Sequence, residues 1–262
     1  MTLDQSTIRQ LAERLENAEL NRQPVTKITD DYPEMDWDDA YSIQYEIRRR
    51  KEERGGKIAG LKMGLTSQAK MRQMGVSEPV YGFLTASGSY ADGAEIDSAA
   101  FIHPRVEAEV AVMTRTELAG PGCNIGRVLP AMDFVTAALE IIDSRYENFR
   151  FDLKSVIADN TSAAGFVSGS VMREADALDL PTLGVVMEKN GEVVETGAGA
   201  AVLGHPANSV AVLANMLAAR GEVIPAGTFI MTGGITAAVA VDKGDTINVR
   251  FQDLGKVSFR MG

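Results

Sequence analysis

Near the start of the chain, apolar residues recur every three to four positions (Ile8, Leu11, Ala12, Leu15, Ala18), the spacing that lines one face of a helix. Thr2 with Gln5 fits a capping box that opens this first helix. A proline-bearing loop, Thr29 to Pro33, leads to a second pattern in which Asp36 caps and Ala40, Ile43 and Ile47 form the buried stripe. Gly55-Gly56 ends it. From Lys57 the texture changes to short apolar runs separated by glycine, and most of the chain beyond about residue 80 reads as strands. The clearest are 106–113, 135–142, 184–188, 228–232 and 237–241, then the alternations Ile247-Val249-Phe251 and Val257-Phe259. Asp242-Lys243-Gly244-Asp245 and Asp253-Leu254-Gly255 supply turns, and one late helix, about Ser209 to Arg220, interrupts the strands. The predicted class is α+β: a smaller helical N-terminal portion, residues 1–80, on a larger mixed-β body, residues 81–262. No internal repeat is visible.

Composition narrows the function. With 262 residues, 45% of them apolar, the chain can bury a substantial core. A single cysteine, Cys123, excludes an internal disulfide framework and a multi-cysteine zinc site, and it fits a reducing compartment, so a cytoplasmic protein is expected. The N-terminus has no basic lead or apolar stretch of a secretory signal, and no run approaches the roughly 18 uninterrupted apolar residues of a spanning helix, so no membrane association is expected. A net charge of -10 argues against a nucleic-acid partner. The one basic run, Arg48 to Lys51, is followed at once by Glu52-Glu53-Arg54 and reads as a solvated helix end.

The chemistry concentrates in a few segments. Between Pro104 and Val112, strand alternation puts Val106, Ala108, Val110 and Val112 on one face and Glu107 and Glu109 on the other. Adjacent like charges resist burial, so either water bathes that face or a cation compensates it. A third acid, Glu140, lies inside the apolar run Ala137 to Ile142. Two readings stand: a core salt bridge from Glu140 to Arg105 or Arg145 with the other acids exposed, or convergence of all three on a hard ion, Mg²⁺ or Mn²⁺.

In Lys57 to Leu65, a strand reading sets Lys62 between Gly60 and Gly64 on one face, leaving room for a ligand; the other reading is an edge-strand lysine that blocks aggregation. Met231-Thr232-Gly233-Gly234 ends a strand with groups that can offer backbone N–H to a carboxylate, or simply makes a tight turn. Gly197-Ala198-Gly199 lacks the third glycine and the βαβ frame of a dinucleotide site, and NAD binding is rejected. The two histidines, His103 and His205, each precede a proline and are assigned loop or cap roles.

Taken together, Gly60 to Thr66, Pro104 to Glu109, Leu139 to Arg145, Ala158 to Ser162 and Met231 to Gly234 resemble the fumarylacetoacetate hydrolase superfamily over nearly the whole chain. Within it they are similar to the branch of 2-hydroxypentadienoate hydratases and 4-oxalocrotonate decarboxylases of aromatic meta-cleavage pathways. The resemblance implies a mixed β-roll with a smaller N-terminal domain, Glu107, Glu109 and Glu140 as metal ligands, and Lys62 in the active site. Asp31 to Met35, Glu46 to Gly55 and Asp143 to Phe149 look like the decarboxylase side. Hydrolytic members use a histidine to activate water; the N-terminal region here has none, which disfavours C–C hydrolysis.

The activity so implied is Mg²⁺-dependent (or Mn²⁺-dependent) decarboxylation of 2-oxo-3-hexenedioate to 2-hydroxypenta-2,4-dienoate, with Ser162, Thr232 and Gly233 as candidates for holding the substrate's carboxylate ends. Hydration of 2-hydroxypenta-2,4-dienoate at the same site is the first alternative, and a non-catalytic 2-oxo acid binding protein the second. Self-association, and a complex with the hydratase that consumes the unstable dienol, are expected partnerships.

Overall fold

A computed structural model of the protein describes residues 2–67, 71, 76 and 78–262. Helices α1 (Gln5–Asn21) and α2 (Trp37–Glu53) pack together through the predicted stripes: Ile8, Leu11, Ala12, Leu15 and Ala18 of the first and Ala40, Ile43 and Ile47 of the second are all buried. The cap of α1 differs from expectation. Asp4, not Thr2, accepts the Thr7 N–H, at 2.8 Å. Thr2 is engaged elsewhere: its N–H and hydroxyl both donate to Asp39, the hydroxyl at 2.6 Å. Asp39 thereby serves two ends, since it also closes a reciprocal capping box with Asp36. Buried Glu16 ties the pair of helices by accepting from Arg50 and Arg54 of the second.

Two curled sheets form the body. The larger runs, in spatial order, β2 (Val80–Thr85), β1 (Ile58–Gly64), β10 (Phe229–Met231), β5 (Arg105–Thr114), β6 (Met132–Ile142), β7 (Ala163–Arg173) and β3 (Ser89–Ala91), with β11 (Val239–Ala240) also on β5. The smaller runs β4 (Ala94–Ile96), β13 (Gly255–Met261), β12 (Thr246–Phe251), β8 (Gly184–Lys189) and β9 (Glu192–Ala198). Most pairs are antiparallel; β1 with β10, β3 with β7 and β4 with β13 are parallel. β13 packs on β6 and β7 and joins the sheets. The strand predicted over 237–241 shrinks to the two residues that still reach β5.

Short helices α3 (Ile125–Ala131) and α4 (Leu153–Ala158) cover the body, with the longer α5 (Pro206–Ala218). The last begins three residues before Ser209 because His205 caps it, its Nδ1 accepting the Ala207 N–H at 2.9 Å, and Pro206 takes the first position, where no N–H is needed. With the turn before it, Gly199–Ala218 is long and apolar enough to cross a membrane by length and composition, yet α5 buries Val210, Leu213, Ala214 and Leu217 in the protein core. Residues Gly197 to Ala201 close β9, a strand antiparallel to β8, and carry no βαβ frame.

Candidate metal centre

Register brings the acids together. β5 and β6 pair with Glu107 opposite Glu140 and Glu109 opposite Ala138, so all three carboxylates share one face of the sheet while Val106, Ala108, Val110 and Val112 fill the other with no exposure. Each glutamate offers an oxygen within 4.8 Å of the others. Glu109 and Glu140 are fully buried. The arginines proposed as partners lie elsewhere: Arg145 pairs with Asp159, and the Arg105 guanidinium sits over the Phe149 ring at 4.4 Å. The cation facing Glu140 is Lys62, its Nζ 3.1 Å from Oε1.

Lys62 is not an edge lysine. β1 lies between β2 and β10, with Lys62 opposite Gly82 on one side and Met231 on the other, and the residue is 3% exposed. Its Nζ also donates to the Thr161 carbonyl at 3.1 Å. The flanking glycines have different tasks. A Cβ on Gly64 would rest 3.6 Å from Nζ, whereas one on Gly60 would lie 2.2 Å from the Phe229 carbonyl oxygen, so Gly60 serves strand approach rather than ligand space.

Among the described residues, three carboxylates stand against one ammonium, which leaves the cluster over-supplied with negative charge. Burial, then the adjacent Glu140, push Glu109 well above the usual carboxylate range, and burial raises Glu140 against the pull of Lys62. Two unit charges 4.8 Å apart repel by about 3.5 kcal/mol at an effective dielectric near 20. Glu109 Oε1 and both oxygens of Glu140 are buried and make no aligned hydrogen bond among the described residues. Buried acceptors left in this state need a partner. An all-oxygen set with open lone pairs fits a hard divalent cation, which would satisfy the orphaned oxygens and offset the charge in one step.

The Thr232-Gly233-Gly234 segment serves this cluster directly. The carboxylate that receives the Gly233 N–H is that of Glu109, through Oε2 at 2.7 Å. Gly233 holds φ at +114°, and a Cβ there would lie 2.0 Å from Thr66 Oγ1; one on Gly234 would lie 2.6 Å from Glu107 Oε2. A side chain at Gly234 would force the Glu107 carboxylate to move from its present place, and one at Gly233 would strike Thr66. Thr232 is locked between β5 and α5, its hydroxyl donating to the Val110 carbonyl at 2.8 Å and its carbonyl accepting from Ser209 Oγ at 2.6 Å.

Ser162 belongs to a turn that composition alone does not reveal. Asn160, Thr161 and Ser162 have φ of 48°, 51° and 58°, a left-handed run of three non-glycine residues that costs roughly 1–2 kcal/mol each. The hydroxyls of Thr161 and Ser162 are buried without a hydrogen-bond partner among the described residues. Thr161 is the residue that the sequence reading missed; the visible signal was an asparagine, tolerant of left-handed backbone, ahead of two hydroxyl residues. His103 takes a loop role, its N–H and that of Ile102 donating to the Asp143 carboxylate, each at 2.8 Å.

Residues 59–261 match the fumarylacetoacetate (FAA) hydrolase C-terminal family. The chain belongs to that family. A family relative, the 4-oxalocrotonate decarboxylase of Pseudomonas putida, is 63% identical over 259 residues, covering 99% of this chain and 98% of the relative. The 2-oxo-hept-4-ene-1,7-dioate hydratase of Escherichia coli is 39% identical over 263 residues, covering 98% of each. Among solved structures, the 4-oxalocrotonate decarboxylase from Pseudomonas putida G7 complexed with magnesium and adipate superposes with a TM-score of 0.98 at 61% identity, over 100% of this chain and 99% of that one. Lys62, the three glutamates, Ser162, Thr232 and Gly233 all fall inside the family region, and α1 and α2 precede it.

Proposed function

We propose that the protein is a carboxy-lyase that converts 2-oxo-3-hexenedioate to 2-hydroxypenta-2,4-dienoate and CO₂, with Mg²⁺, or Mn²⁺ in its place, held by Glu107, Glu109 and Glu140. The observation that carries this reading is 63% identity to a 4-oxalocrotonate decarboxylase over 99% of the chain, together with a three-glutamate cluster, two of its members fully buried, paired with Lys62. The leaving carboxylate is vinylogous to the ketone: electrons of the C5–C6 bond pass through the C3=C4 alkene to the C2 oxygen. Bound at the glutamates, the metal supplies Lewis acidity toward the substrate's 2-oxo acid end.

The chain's own residues do the rest. An ammonium carries three N–H donors; Lys62 gives one to the Thr161 carbonyl and rests beside Glu140 as an ion pair, which leaves donor capacity for the C2 oxygen as negative charge gathers there. Gly233 and Thr232 keep Glu109 in place. The unpartnered hydroxyls of Thr161 and Ser162 are assigned to a substrate carboxylate. Hydration of 2-hydroxypenta-2,4-dienoate is the second reading, supported by the hydratase at 39% identity.

We propose further that the enzyme works in the cytoplasm in meta-cleavage catabolism of aromatic compounds, as a homo-oligomer that hands its dienol to a hydratase; sizing the protein alone and with that hydratase tests both associations. The catalytic test supplies 2-oxo-3-hexenedioate to chelator-stripped protein with and without Mg²⁺. Mg²⁺-dependent CO₂ release supports the reading. Water addition to 2-hydroxypenta-2,4-dienoate without CO₂ release moves the protein to the hydratases, and ligand-induced stabilisation without turnover makes it a binding protein.

A further inference from the structure

The left-handed turn Asn160 to Ser162 is held from three sides. The Asn160 side chain accepts the Phe83 N–H through Oδ1 and donates to the Phe83 carbonyl through Nδ2, both at 2.9 Å, which adds a rung to β2 where no strand partner lies. Arg145 donates to the carbonyls on either side of the turn, Asp159 and Ala163. The Asp143 N–H donates to the Ser162 carbonyl at 2.8 Å, tying the turn to the end of the strand that carries Glu140. Phe83 follows Gly82, the cross-strand partner of Lys62, and a Cβ on Gly82 would lie 2.6 Å from Thr161 Oγ1 and 2.7 Å from Asn160 Oδ1. The turn therefore lies directly on the backbone beside the lysine, and its middle carbonyl receives the lysine's hydrogen bond.

We infer that Asn160 is a positioning residue: its carboxamide clamps the left-handed turn to β2 and so sets where the Thr161 carbonyl holds the Lys62 ammonium beside Glu140. The side chain type fits the task. One planar group with an acceptor and a donor matches the N–H and C=O of a single residue, and asparagine accepts left-handed backbone. The lysine needs such a guide because its ammonium sits on a flexible four-carbon stem. The kinetic part of this inference rests on the decarboxylase reading.

The test is a double-mutant cycle with Mg²⁺-loaded protein, using Asn160→Gly, which keeps the backbone freedom that the turn requires. Asn160→Gly is expected to lower kcat by about 10–100-fold with KM within about threefold. In the Lys62→Ala background it should change kcat by less than about twofold, because the group it acts through is gone. Acetylation of Lys62, read by peptide mass mapping without reference to activity, should rise about tenfold or more as the site opens locally, with Lys27 and Lys57 as unchanged controls. An equal loss of kcat in both backgrounds, or unchanged Lys62 acetylation, overturns the inference. If Asn160→Gly does not fold, Asn160→Asp enters the same cycle; it keeps the size and the acceptor but sets a carboxylate oxygen against the Phe83 carbonyl. Absence of CO₂ release by the unmodified protein defeats the decarboxylase reading instead, and the acetylation result then decides the inference alone.

Discussion

Glu109→Gln should make the metal-free protein more stable while destroying its response to Mg²⁺. The glutamine can still accept the Gly233 N–H through its carbonyl oxygen, and its amide can donate to Glu140 in place of the orphaned Oε1. What disappears is charge. Glu109 faces two carboxylates, each costing about 3.5 kcal/mol at 4.8 Å and an effective dielectric near 20, and the attraction of Lys62 cancels roughly one of the two. About 3 kcal/mol of repulsion is thus removed. With an unfolding entropy of about 2.1 cal/mol/K per residue, or roughly 0.55 kcal/mol/K for 262 residues, Tm in chelator at pH 8 should rise by roughly 5 °C. The pH dependence has a defined sign. Because the folded-state pKa of Glu109 lies above its unfolded value, the folded form holds the extra proton; stability of the metal-free protein then falls as pH rises from about 4.5 through that raised pKa. The variant loses this contribution to the slope. Scanning calorimetry in chelator and in Mg²⁺ reads both effects. For the unmodified protein, Mg²⁺ at a hundred times its Kd should add about 2.7 kcal/mol, again roughly 5 °C. A lower Tm for the variant in chelator, or a Mg²⁺ response equal to that of the unmodified protein, would falsify the electrostatic account.

Three further perturbations separate the parts of the site. Lys62→Ala should lower kcat by about 10²–10³, the loss typical of removing one donor to a developing oxyanion, with steady-state CO₂ release as the assay; unchanged kcat would remove the lysine from the chemistry. Gly234→Ala places a methyl 2.6 Å from Glu107 Oε2, so Mg²⁺ affinity measured by calorimetric titration should weaken about 10–100-fold, and an unaltered Kd would show that metal binding does not depend on the bare backbone beside Glu107. Asp159→Asn strands the buried Arg145 without its counter-charge and should cost about 3–5 kcal/mol, seen as a Tm lower by roughly 5–9 °C. A loss below 1 °C there would mean that the Arg145 hydrogen bonds to backbone carbonyls suffice by themselves.

Patterns with a short period were legible in the chain itself. The stripes of α1 and α2, the strand faces of β5 and β6 and the turn residues at Gly244 and Gly255 follow from local periodicity, because each side chain's face is fixed by its offset from the next. The same alternation put Glu107 and Glu109 on one face before any fold was known. Resemblance then tied them to Glu140 and Lys62. What local pattern could not supply was the partner of each group. Thr2 looked like a helix cap until Asp39, 37 residues away, claimed its N–H and hydroxyl. The Gly233 N–H was a candidate for a substrate carboxylate, and only the crossing of β10 beside β5 laid it on Glu109 of the protein itself. Lys62 read as an edge residue or a ligand group until the parallel pairing of β1 with β10, across some 170 residues of chain, enclosed it. The left-handed turn at Asn160 carried no periodic signal, since its backbone is imposed from outside by Phe83, Arg145 and Asp143. Sequence therefore determined which faces are apolar and which residues bear charge, because those depend on neighbours one to four positions away. The tertiary structure alone decided which charges meet, because a buried carboxylate takes its chemistry from whatever strand the topology lays beside it.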